Sequence, residues 1–204
     1  MESKIAETRR DIDPLLANRW SPRAINPDRP LSGETLTSLF EAARWAPSCF
    51  NQQPWRYLVC NKFTHRESWD QALLTLVPGN SRWASNAPVL IVAFADHDSK
   101  LSNGEQTRWA AYDTGAASEN ICLQASALGL AAHQMGGFDA AKLISLFAVP
   151  DGYEPLAVIA VGYAGDANLL QDWQREQEIG PRSRLPLHKI VFSGEWKQSF
   201  SESG

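Results

Sequence analysis

The chain has 204 residues, of which 44% are apolar and 21% are charged, a balance typical of folded globular proteins and not of disordered or membrane-embedded chains. Its net charge of −4 argues against a basic surface that binds nucleic acid or an anionic membrane. The length predicts one domain spanning residues 1–204.

Cysteine usage and hydropathy indicate the compartment. Cys49, Cys60 and Cys122 are widely spaced and form no CxxC pair, so they indicate neither a disulfide framework nor a zinc site. The N-terminal segment carries charges throughout and lacks the apolar core of a signal peptide, and the longest apolar run, residues 87–95, is too short to cross a bilayer. We therefore expect a cytoplasmic protein without a membrane partner.

The N-terminal segment is predicted to form two helices separated by a loop. Residues 5–18 read as the first helix, and residues 19–23 as a loop, because Pro22 disfavours helical geometry in the residue before it. Ser32 is a suitable cap for a second helix over about 34–45, where apolar residues recur at helical spacing.

The central segment is predicted to contain two strands. Residues 47–54 form a loop framed by prolines, and residues 55–60 a strand. A helix over 66–77 is followed by a turn at 78–80. The run VLIVAFA, residues 89–95, reads as a strand buried on both faces near the centre of the sheet.

The C-terminal half is predicted to begin with a long buried helix over residues 105–130, rich in alanine. A double glycine follows a strand, and Asp139 caps a helix that runs to about residue 147. Residues 156–163 read as the last strand. Residues 164–204 carry few core signals and are predicted to form an arm that wraps a partner subunit.

Two pairs of arginines could bind a phosphate. Arg19 and Arg23 flank Ser21 in one loop, and guanidinium groups with a hydroxyl can form charge-assisted bonds to phosphate. Arg182 and Arg184 lie on one side of an extended segment, because side chains alternate there with a period of two. Taken alone, each pair is interpreted more readily as exposed charge on the surface than as a phosphate site.

Two further segments suit a flat heteroaromatic ligand, which needs hydrogen bonds on one edge and apolar contacts on another. The first is a loop that offers amides, a hydroxyl and apolar groups: Pro47, Ser48, Cys49, Phe50, Asn51, Gln52 and Gln53. The second is the pair Gly136 and Gly137, which permits close approach of the backbone. The alternatives are a capped connection for the loop and an ordinary turn for the glycines.

Other site types are not indicated. The sequence contains no GxGxxG after a strand, no GxxxxGK[ST], no HExxH and no GxSxG. Asp96, His97 and Asp98 read as a solvated turn in preference to a metal site, and Cys49 has no histidine beside it in sequence. We predict no metal and name no catalytic acid or base.

In order along the chain, the motifs resemble those of the FMN-dependent nitroreductase family. They are RWSPR, APSCFNQQPW, GNSRWASNAPVLIV, MGGFD and RSRLPL, and the resemblance spans about residues 10–192. It implies an α+β fold with a mainly antiparallel central sheet flanked by helices, in a homodimer that holds FMN at its interface. It also implies ping-pong reduction of nitroaromatic, quinone or enone acceptors by NAD(P)H.

The resemblance also implies roles for individual residues. Phosphate, ribityl and pyrimidine contacts fall to Arg19, Ser21, Arg23, Arg182 and Arg184, with Trp20 between the first two, where relatives more often have Arg or His. Contacts from the other subunit fall to Pro47, Ser48, Cys49, Asn51 and Gln53. Asn80 is expected at the flavin ring, and Met135, Gly136 and Gly137 at N5. The same scaffold is also compatible with dehydrogenation or dehalogenation of a dedicated metabolite, or with flavin binding without turnover.

Overall fold

The computed structural model describes residues 4–98 and 108–200, and a four-stranded antiparallel sheet forms its centre. The strands are β1 (Trp55–Asn61), β2 (Val89–Asp96), β3 (Leu130–Met135) and β4 (Tyr153–Tyr163), in the order β1-β2-β4-β3. The helices are α1 (Pro14–Asn18), α2 (Gly33–Arg44), α3 (Arg66–Thr75), α4 (Pro78–Ala84), α5 (Ala110–Ala127), α6 (Ala140–Leu146) and α7 (Asp172–Ile179). The predicted α+β class is confirmed.

The buried strand predicted from VLIVAFA is β2, which lies between β1 and β4 with every residue buried. Because successive side chains point to opposite faces of a sheet, β2 supplies two cores. Leu90 packs in a cluster that contains Trp69 and Trp83, and Ile91 packs on the other face in a cluster with Ile121. Helices on both faces thus enclose the sheet.

The first predicted helix is mostly absent. Only Pro14–Asn18 is helical, whereas helix was predicted over 5–18. Pro14 has no N–H and belongs at the start of a helix, and the Asp13 carboxylate caps that start by accepting from the Leu15 N–H at 2.8 Å. The segment before Asp13 instead packs against α1, where the Ala6 N–H donates to the Ala17 carbonyl at 2.9 Å.

Two other predicted element boundaries differ from those in the structure, again for local reasons. The predicted turn at 78–80 is the first turn of α4, because Pro78 occupies the N-terminal position that proline favours in helices. The helix predicted over 105–130 is α5, which ends at Ala127; residues 105–107 lie outside the described residues. Gly129, with φ of +71°, then turns the chain into β3.

The predicted arm contains a helix that was not expected. In α7, Gln174 and Glu178 are buried, and Leu170 just before it is 5% exposed, so this part packs on its own chain. From Ser183 to Phe200, every residue except Phe192 is exposed. The description of an arm therefore applies only after Arg182.

The described part of the chain contains no helix long and apolar enough to cross a membrane. It also contains no group of three or more His, Cys, Asp and Glu side chains that could hold a metal ion.

Candidate active site

Arg182 bonds the two ends of the chain together. Its Nη1 donates to the carbonyls of Lys4 at 2.7 Å and Ala17 at 2.8 Å, and its Nη2 donates to the Arg19 carbonyl at 3.0 Å. The C-terminal arginine motif thus lies directly against the loop of residues 19–23, as the hypothesis of a shared phosphate site requires.

The loop of residues 19–23 is also held from two other elements. The buried carboxylate of Glu178 accepts from the Arg23 N–H with both oxygens at 3.0 Å and from the Ala24 N–H at 3.0 Å. On β3, Nδ1 of His133 lies 3.1 Å from the Pro22 carbonyl, which can only accept, so we assign the proton to Nδ1. The loop backbone is therefore fixed by side chains.

Basic side chains concentrate around this loop. Arg19 donates to the Ser21 hydroxyl at 3.3 Å and pairs with Glu119 at 3.2 Å. Burial lowers the pKa of Arg182, and the neighbouring charges of Arg184 and Arg19 lower it further. Such mutual repulsion indicates an electropositive site suited to an anion.

The environment of His133, on the neighbouring strand β3, favours its neutral form. Burial lowers its pKa to about 4, and the charge of Arg23 contributes to that shift. The imidazole stacks near Trp83, with ring centroids 4.7 Å apart. At neutral pH the ring is therefore uncharged and adds no further repulsion to the cluster.

The two C-terminal arginines face different surroundings. Arg182 donates to three backbone carbonyls, whereas Arg184 is exposed and, among the described residues, its Nη1 donates to the adjacent Ser183 carbonyl at 2.8 Å. Their charges are close enough to affect one another. Of the two, Arg184 has the guanidinium that can turn towards a ligand.

The loop of residues 47–53 has an unusual backbone. Phe50, Asn51 and Gln53 have φ of +50°, +54° and +49°, a left-handed conformation that non-glycine residues seldom adopt and that costs about 1–3 kcal/mol each when unfavourable. Such strain concentrates at functional sites. Within this loop, the Gln53 N–H donates to the Ser48 hydroxyl at 3.0 Å, and Gln52 Oε1 is buried without a hydrogen-bond partner among the described residues.

Asp113 anchors this loop to the start of α5. Its Oδ2 accepts from the Cys49 N–H at 2.9 Å, and the residue is 5% exposed. Glu119, which pairs with Arg19, lies six residues further along the same helix, a rise of about 9 Å. The loop of residues 47–53 and the loop of residues 19–23 therefore both contact α5, at different positions along its axis.

The remaining predicted residues form a third group. Asn80 Nδ2 donates to the Gly137 carbonyl at 3.1 Å, and the Val77 N–H donates to the same carbonyl at 3.1 Å. Met135 is buried at the end of β3, while Gly136 is exposed, and a Cβ added there would meet nothing within 4 Å. The structure thus brings Asn80 to the double glycine and leaves open space in front of Gly136.

A cavity of about 610 Å³ opens beside the basic cluster, with Lys4, Ala24, Glu178, Gly180 and Arg182 in its wall. Neither the loop of residues 47–53 nor the double glycine lines it. This cavity of the described chain therefore joins the basic cluster to neither of the segments predicted to hold a ring.

Several residues that shape the site were not predicted. Glu178, His133, Asp113 and Glu119 act on the backbone or the side chains of predicted residues. The sequence gives no local signal for them, because each lies in a helix or strand and reaches a segment far away in the chain.

Comparisons with known proteins agree with this architecture. The model of the nitroreductase family matches residues 16–163. A crystal structure described as an oxidoreductase containing FMN is 34% identical, covers 98% of this chain and all of its own, and superposes with a TM-score of 0.89. A structure from Desulfovibrio desulfuricans, solved in complex with FMN, is 27% identical with a TM-score of 0.70 and coverage of 91% and 99%.

The name of one curated relative refers to an enzymatic activity. A protein from Archaeoglobus fulgidus, provisionally named NADH dehydrogenase/NAD(P)H nitroreductase, is 30% identical over 143 residues, which cover 68% of this chain and 78% of the relative.

Proposed function

The chain belongs to the nitroreductase family of oxidoreductases, and from this premise we propose that it uses NAD(P)H and bound FMN to reduce nitroaromatic, quinone or enone acceptors. The observation that carries the proposal is the contact between the two arginine motifs, since Arg182 donates to the carbonyl of Arg19 at 3.0 Å. Motifs from opposite ends of the chain meet in one electropositive site, as a single phosphate group requires.

The donor set around this site fits a flavin mononucleotide. Arg19, Ser21, Arg23 and Arg184 would hold the phosphate and ribityl chain, and Arg182 would add charge while holding the loop. Buried Gln52 Oε1 has no partner among the described residues, so its loop has unused hydrogen-bonding capacity.

The ring would lie between segments of two subunits. Pro47, Ser48, Cys49, Asn51 and Gln53 of one copy would face Trp20, Asn80, Met135, Gly136 and Gly137 of the other. The space in front of Gly136 would admit the ring, and its backbone N–H would donate to N5.

When bound, FMN supplies two-electron hydride chemistry, and the protein's residues orient the ring and limit water. We propose that nicotinamide and acceptor occupy the same slot in turn, which gives ping-pong kinetics. No side chain in the described segments stands out as an acid or base for the reaction, so we assign no catalytic residue.

We propose a homodimer because large aromatic side chains are exposed near the site. Trp45, Phe50 and Tyr112 are 76%, 80% and 74% exposed, and Trp196 on the arm is 80% exposed. Exposed apolar surface of this kind indicates an interface. A second copy would cover it and bring the loop of residues 47–53 to the basic cluster, and the whole chain would act as one FMN-binding domain.

We also propose a cytoplasmic location. The three cysteines are free, which suits a reducing compartment.

The test is the absorption spectrum of the purified protein after addition of FMN, followed by anaerobic titration with NADH and NADPH. We expect flavin bands that bleach with one nucleotide and return with a nitroaromatic or a quinone. A flavin-bound protein that neither nucleotide reduces would point to a dedicated substrate or to binding without turnover. A protein that binds no FMN would refute the proposal.

A further inference from the structure

A buried carboxylate lies beside the basic cluster. Glu178 is 4% exposed, and its two oxygens accept three hydrogen bonds from the N–H groups of Arg23 and Ala24, all at 3.0 Å. It lies on α7, some 150 residues away in the chain, in the segment where no core element was predicted.

The position of this carboxylate is unexpected on electrostatic grounds alone. A negative charge close to a phosphate site repels the phosphate, so it should weaken binding if it had no other effect. Its hydrogen bonds also occupy two backbone N–H groups that could otherwise bind an anion. At this end of the loop, phosphate recognition is therefore left to the side chain of Arg23.

The side chains have a defined direction only if the loop backbone is fixed. Arg182 holds the carbonyl of Arg19, His133 holds that of Pro22, and Glu178 holds the N–H groups at the far end of the loop. Binding by a loop already in its bound conformation avoids the entropy cost of ordering it.

We propose that Glu178 is a positioning residue that fixes the loop of residues 19–24 for the phosphate of FMN, and so sets the preference for FMN over riboflavin. This inference rests on the proposed function. If charge repulsion alone mattered, removing the negative charge of Glu178 would strengthen FMN binding. The positioning role predicts the opposite, that removing this charge weakens FMN binding.

The experiment compares flavin-free wild type with Glu178→Gln, Glu178→Asp and Glu176→Gln. FMN and riboflavin are titrated into each protein, and dissociation constants are measured from the quenching of flavin fluorescence. Glu176→Gln is the matched control, since it removes the same charge from an exposed position on the same helix. Hydrogen exchange at the amides of Arg23 and Ala24 is followed in the flavin-free proteins.

For Glu178→Gln we expect FMN binding to weaken about tenfold, the loss typical of a hydrogen bond to a charged group, and riboflavin binding to stay within about twofold. Exchange at the two amides should accelerate. Glu178→Asp keeps the charge but is one methylene shorter, so it should also weaken FMN binding. If Glu178→Gln does not fold, this variant carries the test.

The outcomes separate the two proposals. Unchanged or tighter FMN binding in the Glu178 variants overturns the positioning role, and an equal loss of both flavins reduces Glu178 to a purely structural residue. Either result leaves the proposed function intact, provided that the wild type binds FMN. A wild type that binds neither flavin refutes the proposed function and the inference together.

Discussion

Gly137 and Gly136 form a matched pair for testing how closely the double glycine is packed. A Cβ added at Gly137 would lie 2.8 Å from Asn80 Nδ2 and 2.9 Å from Val77 Cγ2, whereas one at Gly136 would meet nothing within 4 Å. Neither glycine has a positive φ, so alanine is compatible with the backbone at both positions. The two substitutions therefore differ in the clash alone.

The expected cost follows from these distances. Comfortable contact between non-bonded heavy atoms is about 3.5–4.0 Å, so Asn80 and Val77 must each move by more than about 0.5 Å. Overpacking of this kind costs about 1–3 kcal/mol, and displacing Asn80 from the Gly137 carbonyl costs about 1 kcal/mol more. The gain of about 0.4–1 kcal/mol from a stiffer unfolded chain applies to both variants and cancels.

We expect Gly137→Ala to be less stable than Gly136→Ala by about 2–4 kcal/mol, a factor of at least about 30 in the unfolding equilibrium. Urea denaturation of the flavin-free proteins measures this difference directly. Gly136→Ala, which meets no clash, should be more stable than wild type by about 0.4–1 kcal/mol. Equal losses in the two variants, or a larger loss at Gly136, would contradict this description of the packing.

Two further perturbations test the loop and the arm. The pKa of His133 is lowered to about 4, so its stabilising effect is complete above the unfolded pKa of about 6.5 and is lost as the pH falls towards 4. Between pH 7.5 and pH 5 the free energy of unfolding should fall by about 2 kcal/mol, measured in urea titrations. His133→Gln should remove this pH dependence. If the dependence persists in the variant, it comes from another titratable group. Ending the chain after Leu185 removes a segment whose described residues are exposed apart from Phe192, so it should leave the subunit folded while weakening the proposed dimer at least tenfold by light scattering. An unchanged dimer would show that the arm does not contribute to the interface.

The features predicted best from the sequence are those encoded by local pattern. The apolar run from Val89 gives the central strand, and Ser32 caps α2 by accepting from the Thr35 N–H at 3.1 Å. Asn80 and Gly137, assigned to one ligand ring from the resemblance, are in direct contact. In each case the residue type carries the information, either through its own geometry or through a motif.

Features that depend on distant partners were missed. The segment before Asp13 was predicted to be helical but is not, because the Ala6 N–H finds a partner in α1 and because Pro14 can only start a helix. Glu178 looks like any charge on a polar helix until the fold brings it to the N–H of Arg23. Contacts made with backbone atoms leave no residue pattern at the receiving end, so the sequence could not indicate them.

The guanidinium of Arg182 has a consequence for how this molecule comes apart. Arg182 donates to the carbonyl of Lys4, and Lys4 Nζ donates to the Glu178 carbonyl at 2.7 Å. The N-terminal segment at Lys4 and the segment from Glu178 to Arg182 are therefore hydrogen-bonded to each other in both directions. If either segment unfolds, the other loses these hydrogen bonds, so the two segments form a single unit of local unfolding. Loosening of the segment around Lys4, or of α7 and Arg182, would therefore release the loop of residues 19–23 as well.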